Sequence, residues 1–185
     1  MGIKIGVSNH HVHLTREALD ILFGQNYELT VKQKLVQKGQ FAANEQVSLQ
    51  KNGKVLEHIR IVGPCRKYTQ VELLDKDNIF FGINAPVRTS GDLKGSESIM
   101  IIGPKGTYLA KEAAIVSNRH IHMSSDDLKK YNRSNGEIVR VKTENGIVMD
   151  NVHIKSDDTC VLEYHMNKDE AKDLGLESGM EVEIC

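Results

Sequence analysis

Two short segments carry the side chains most able to do chemistry, and in one pattern: Val7 to His13 reads VSNHHVH and Val116 to His122 reads VSNRHIH. In an extended chain residues i and i+2 project to one side, so His11 with His13, and His120 with His122, can each offer two imidazoles to one ion. A single HxH is weak, because eight histidines in 185 residues reach that spacing by chance and can serve as ordinary hydrogen-bonded or solvated side chains. Recurrence in one context strengthens it. His11-Val12-His13-Leu14-Thr15 matches His120-Ile121-His122-Met123-Ser124 at an offset of 109, and each block runs on into an acidic, helix-like segment.

A second register, at an offset of 93, extends the duplication. Asn52-Gly53 falls on Asn145-Gly146, His58-Ile59-Arg60-Ile61 on Asn151-Val152-His153-Ile154, Gly82 on Gly175, and Glu72 on His165. Each half therefore supplies an HxH pair and a third candidate ligand: His11, His13 and Glu72, then His120, His122 and His165. Three protein ligands with an open position suit catalytic zinc. His10, His58 and His153 have no matching partner and read as structural or solvated.

These residues need elements to hold them. Ile3 to Val7 alternates as a strand, and Arg16 to Phe23 reads as a short amphipathic helix with Thr15 as N-cap and Gly24 as stop. Gln46 to Gln50 and Val55 to Val62 form a hairpin through Asn52-Gly53, repeated by Ile138 to Val141 and Ile147 to Ile154. Thr69 to Leu73, Ser98 to Ile102, Cys160 to His165 and Met180 to Ile184 are further strands, and Asp169 to Leu174 is a short helix. Thr89 to Glu97 reads as loop, and Gly103 to Gly106 as a turn. The expected fold is mainly β: two small pseudo-symmetric β-barrels from an internal duplication, capped by short α-helices. The first lobe spans 10–117 and the second 118–185, the latter completed by the N-terminal strand 1–9.

The 24 Lys and Arg against 25 Asp and Glu gather in no long run of one sign, which disfavours nucleic acid or an anionic membrane as partner and favours small molecules. Cys65, Cys160 and Cys185 are odd in number without CxxC spacing, against a disulfide framework and in keeping with a reducing compartment. No apolar run is long enough to span a bilayer. The opening MGIKIGVSN reads as a strand, not as a signal peptide.

Taken together, GVSNHHVHLT, QKGQFAANEQVSL, IRIVGPCRKYTQVEL, FGINAPVRTSGDL, IIGPKG, VSNRHIHMS and LEYHMNKDEAKDLGL resemble the PduL family of phosphotransacylases, the zinc-dependent phosphate propanoyltransferases. The resemblance covers essentially the whole chain, Ile5 to Ile184. It implies transfer of a short acyl group, propanoyl or acetyl, between coenzyme A and phosphate by direct zinc-assisted attack on the thioester. It also implies two β-barrels with the N-terminal strand donated to the barrel of the C-terminal half, and two zinc ions at their interface. The first zinc would fall on His11, His13 and Glu72 and the second on His120, His122 and His165. Arg66 would bind phosphate, its planar guanidinium suited to bidentate contact. Coenzyme A contacts would fall on Val7, Ser8, Asn9, Arg60 and Lys172. Two departures stand out: Lys172 replaces an asparagine, though a lysine can still reach a phosphate, and Val36-Gln37-Lys38-Gly39-Gln40 replaces Ser-Gln-Pro-Gly-Gln, which should loosen a turn.

Other readings stay open at this level. Cys65 beside Arg66 allows a covalent acyl-enzyme if the cation lowers the thiol pKa. HxH after an early strand also opens the metal sites of amidohydrolases, but those use (β/α)8 barrels of about 250 residues. A non-catalytic zinc-binding module would close its sites with four ligands rather than three. A mild tendency to self-associate is expected. Family members that enter bacterial microcompartments carry an amphipathic N-terminal extension, and this chain starts six residues before its first motif, so a cytoplasmic enzyme is expected.

Overall fold

The computed structural model describes Gly2–Cys185. Along the chain run β1 (Ile3–Ser8), β2 (His11–His13), α1 (Arg16–Phe23), β3 (Val31–Lys34), β4 (Phe41–Lys51), β5 (Lys54–Gly63), β6 (Gln70–Leu73), α2 (Asp75–Phe81) and β7 (Val87–Arg88). They are followed by β8 (Glu97–Ile102), β9 (Thr107–Ser117), β10 (His120–His122), α3 (Ser125–Tyr131), β11 (Ile138–Thr143), β12 (Val148–Lys155), β13 (Glu163–Asn167), α4 (Lys168–Leu174) and β14 (Glu181–Ile184). The chain divides into two compact units. The first holds His10–Leu35 and Gly39–Ser117; the second holds the residues up to Asn9, Val36–Lys38 and Asn118–Cys185.

Each unit is a closed six-stranded barrel. In the first, the ring runs β4, β5, β2, β6, β9, β8 and back to β4, with β3 and β7 appended to β4 and β9. In the second it runs β11, β12, β10, β13, β1, β14 and back to β11. The two rings match strand for strand in direction as well as order: β2 and β10 each lie parallel to one neighbour and antiparallel to the other. The place of β9 in the first ring is filled by β1 in the second. Each Val-Ser-Asn segment thus ends a strand of one barrel, and the HxH that follows it begins a strand of the other. Closure removes the unpaired edges that open sheets must protect.

Local chemistry explains the elements. In β11 the inward positions Val139, Val141 and Thr143 are buried and those between are exposed, the period of a half-buried strand. Asn52 and Gly53 both take positive φ, 51° and 75°, as a two-residue hairpin requires. The Thr15 side chain accepts from Ala18 N–H to start α1, and Ser124 accepts from Asp127 N–H at the matching position of α3. Gly82 and Gly175, at φ 67° and 66°, end α2 and α4 in the left-handed conformation. His58 and Asn151, equivalent by the duplication, share the same unusual positive φ.

Each barrel has its own core. Val12, Leu14, Leu19, Leu22, Ile59, Ile61 and Phe81 are among the buried residues of the first, and Ile3, Ile5, Ile121, Met123, Tyr164 and Val182 of the second. Burying each such side chain contributes roughly 1.5–3 kcal/mol, enough to hold the short HxH strands between their neighbours. β13 begins at Glu163, later than the Cys160 expected from sequence. Cys160 N–H instead donates to Asp157 O and Val161 N–H to Gln37 Oε1, so this backbone is satisfied outside the ladder. Gln37 Nε2 also donates to Val161 O at 3.1 Å and Lys38 N–H to Thr159 O at 3.0 Å, which ties Val36–Lys38 to the second unit. No helix among the described residues is long and apolar enough to cross a membrane.

Candidate metal centres

Register brings the candidate ligands together. Antiparallel pairing of β2 with β6 sets His11 opposite Glu72 and His13 opposite Gln70. Pairing of β10 with β13 sets His120 opposite His165 and His122 opposite Glu163. Side chains directly opposite across a ladder share a face, so each HxH faces two residues at i and i+2 of its partner strand. The donor atoms of His11, His13 and Glu72 lie within 4.8 Å of one another, and so do those of His120, His122 and His165.

The second group is suited to a cation by its hydrogen bonds. His120 Nδ1–H donates to Asn118 O at 2.8 Å, and since a carbonyl only accepts, Nε2 of that ring carries the lone pair. Cys160 Sγ–H donates to Lys155 O at 3.6 Å, so its sulfur accepts from His122 Nδ1–H at 3.3 Å. Nε2 of His122 then carries a lone pair as well, and it faces Nε2 of His120 at 3.2 Å. Two lone pairs at that distance repel unless a cation lies with them. Burial, with the charges of His120, His165 and Lys155, holds the His122 pKa down to about 2, which keeps the ring neutral and able to ligate.

In the first group His13 Nδ1–H donates to Val62 O at 3.2 Å, which presents Nε2 to His11 Nε2 at 3.1 Å. Val62 and Lys155 are equivalent by the duplication. The carbonyl that receives the His13 proton directly is thus reached through the Cys160 thiol in the second barrel. Glu72 carboxylate oxygens lie 3.6 Å from His11 Nε2 and 3.7 Å from His13 Nε2. Burial pushes the Glu72 carboxyl up, but the charge and hydrogen bonds of His11 and His13 outweigh it and hold it well below the usual carboxylate range. Burial likewise lowers His13 to about 4, against the Glu72 hydrogen bond and with the charges of His11 and Arg66 adding to the fall.

These buried rings set an acid limit on the metal-free protein. As pH falls below about 6.5 the unfolded chain takes up protons that folded His13, at about 4, still refuses. The His13 contribution to stability is therefore fully present above about pH 6.5 and is lost towards pH 4, by on the order of 3 kcal/mol. Urea melts of metal-free protein between about pH 7.5 and about pH 4.5 are expected to show the midpoint falling with pH; an unchanging midpoint contradicts this.

Arg66 lies beside the first group. Its N–H donates to Leu14 O at 2.8 Å, docking the loop after β5 onto the turn after His13. Its Nη1 donates to Ser90 Oγ at 3.3 Å. Gln70 Nε2 donates both to Ser90 Oγ at 2.9 Å and to Glu72 Oε1 at 2.7 Å, and Gln70 Oε1 accepts from Gly91 N–H at 2.8 Å. One hydrogen-bonded chain so joins Arg66 to Glu72. Sequence reading did not reach Gln70 or Ser90: Gln70 had a signal, two residues before a candidate ligand on a strand, whereas Ser90 in a loop had none.

Of the residues implied for coenzyme A, Arg60 belongs to the first unit and Val7, Ser8, Asn9 and Lys172 to the second. Arg60 Nη1 donates to Ala43 O and Asn44 O. Val7 N–H donates to Ser178 Oγ, Ser8 Oγ–H donates to Met166 O, and Lys172 is exposed on α4. His10 contacts Asp77, His58 contacts Gln46, and neither they nor His153 joins a converging group. Burial pushes the Cys65 thiol up, with the nearby Arg16 charge only partly opposing it.

A family model described as phosphate propanoyltransferase matches residues 4–177. The chain is similar to the phosphate propanoyltransferase of Thermotoga maritima, 43% identical over 181 residues that cover 96% of this chain and 86% of that protein. It is 42% identical to that of Lachnoclostridium phytofermentans, covering 98% and 86%. With that of Listeria monocytogenes it shares 38%, covering 99% and 87%.

Proposed function

The chain belongs to the phosphate propanoyltransferase family, and on that premise we propose that it interconverts a short-chain acyl-CoA plus phosphate with acyl phosphate plus CoA, using two zinc ions. The observation that carries the zinc reading is the convergence of two three-ligand groups, one His-His-Glu and one His-His-His. Three ligands leave a position open for exchange, as catalytic zinc needs and structural zinc does not. Zinc bound by these trios would supply Lewis-acid stabilisation of a developing oxyanion and a borderline-soft partner for the departing sulfur. Propanoyl and acetyl groups are the acyl chains proposed.

The chain's own residues position the reactants. Arg66 holds the phosphate dianion through its planar fork, and Ser90, itself bonded to Gln70, steadies the guanidinium. The coenzyme A contacts proposed are Arg60 in the first unit and, separately, Val7, Ser8, Asn9 and Lys172 in the second. Phosphate oxygen attacks the thioester carbonyl, the C–S bond breaks, and CoA leaves as thiolate; no protein nucleophile takes part. Cys65, with its thiol pushed up by burial, is a poor candidate for one. Cys65→Ala is expected to keep turnover within about three-fold of wild type, and loss of an acyl-enzyme burst together with turnover would restore the covalent route.

The test is consumption of propanoyl-CoA or acetyl-CoA with and without phosphate, before and after chelation. The zinc-dependent phosphotransacylase proposed here requires both phosphate and metal. Phosphate-independent consumption would mean a hydrolase, and none at all a binding module.

A further inference from the structure

The two centres also differ beside the third ligand. Two residues before the third ligand, on the same face of the strand, stand Gln70 in the first barrel and Glu163 in the second. Each reaches its ligand by a hydrogen bond, Gln70 to Glu72 at 2.7 Å and Glu163 Oε2 to His165 Nε2 at 2.5 Å. The carboxylate has changed places. The first centre has a carboxylate ligand steadied by an amide; the second has an imidazole steadied by a carboxylate. Each therefore holds two histidines, one carboxylate and one further polar group.

Glu163 is itself held. Gln37 Nε2 donates to Glu163 Oε2 at 3.5 Å, and Gln37 is buried and pinned to Val161 through both ends of its amide. On the other side the carboxylate lies over Gly6 of β1, the strand residue paired with His165. A Cβ at Gly6 would meet Glu163 Cδ at 2.8 Å and Oε1 at 2.9 Å, so glycine leaves the room the carboxylate occupies. The Glu163 oxygens are not among the three donors that converge.

We propose that Glu163, braced by Gln37 and Gly6, is a positioning residue of the second centre: it accepts the His165 ring proton at Nε2, sets the ring's orientation, and places a carboxylate side chain beside a centre whose three candidate ligands are all imidazoles. The inference rests on the proposed binding of a metal ion at that centre. A carboxylate behind a ligating histidine raises the basicity of the ring and fixes its tautomer, and its loss typically costs 10–100-fold in metal affinity.

Metal-free protein titrated with cobalt(II), against a competing chelator, tests it. Wild type is expected to bind two ions. Glu163→Ala is expected to weaken one of them by about 10–100-fold and leave the other unchanged, Glu163→Gln to recover part of the loss through its amide oxygen, and Gly6→Ala to weaken the same ion by displacing the carboxylate. Nitrogen-15 shifts of His165 in the metal-free protein give a second reading: the proton resides on Nε2 in wild type and loses that preference in Glu163→Ala. Two ions bound equally well by wild type and Glu163→Ala, with an unchanged His165 tautomer, would overturn the role of Glu163 alone. No ion bound by wild type, or two still bound by His165→Ala, would overturn the metal reading instead, and the tautomer measurement would then decide Glu163.

Discussion

Replacing His122 by alanine is expected to lower phosphate-dependent acyl transfer by about a thousand-fold or more while the protein stays folded. His122 is buried, and its Nε2 lone pair is committed by the Cys160 and Lys155 hydrogen bonds to face His120. Alanine leaves His120 and His165 alone, two ligands where catalytic zinc needs three. The charge stabilisation a metal gives an acyl-transfer transition state is several kcal/mol, and about 4 kcal/mol corresponds to about a thousand-fold in rate. Folding should survive, because the removed ring satisfies no backbone group and its neighbours in the core, Ile121 and Met123, are untouched. Circular dichroism checks the fold and metal analysis the loss of one ion of two. Near wild-type turnover with one ion missing would remove the second centre from the reaction.

Arg66 carries the other large effect. Arg66→Ala is expected to reduce kcat/KM for phosphate by about a thousand-fold, and Arg66→Lys by about 10–100-fold, because lysine keeps the charge but loses the planar pair of donors. The loss should fall on phosphate, and in the reverse direction on acyl phosphate, with the KM for acyl-CoA little changed. That split separates substrate binding from a structural role: Arg66 also docks its loop through a backbone N–H to Leu14, a bond both variants keep. Full activity in Arg66→Lys would mean that charge alone suffices and the Ser90 contact does not serve to aim a fork.

The candidate ligands are legible in the sequence because duplication amplifies weak signals. One HxH is noise, but two in register, each followed by a capped helix and an Asn-Gly hairpin, fixed the six candidate ligands and the two-barrel architecture. Thr15, Gly24 and Asn52-Gly53 act through local backbone preferences, so their roles were legible. What escaped depends on pairing between distant segments. Glu163 and Gln70 gain meaning only once β13 and β6 lie against β10 and β2. Cys160 matters because it falls between His122 and a carbonyl that its counterpart His13 reaches unaided. The run Ala110-Lys111-Glu112-Ala113-Ala114 has helical preference, yet it belongs to strand β9, where pairing with β6 and β8 overrides propensity.

The most direct test is metal content and activity on one sample. Purified protein is expected to hold two zinc ions per chain, to lose them and its phosphate-dependent consumption of acyl-CoA together on chelation, and to regain both when zinc is restored. Full phosphate-dependent turnover in protein shown to be free of metal would contradict the account.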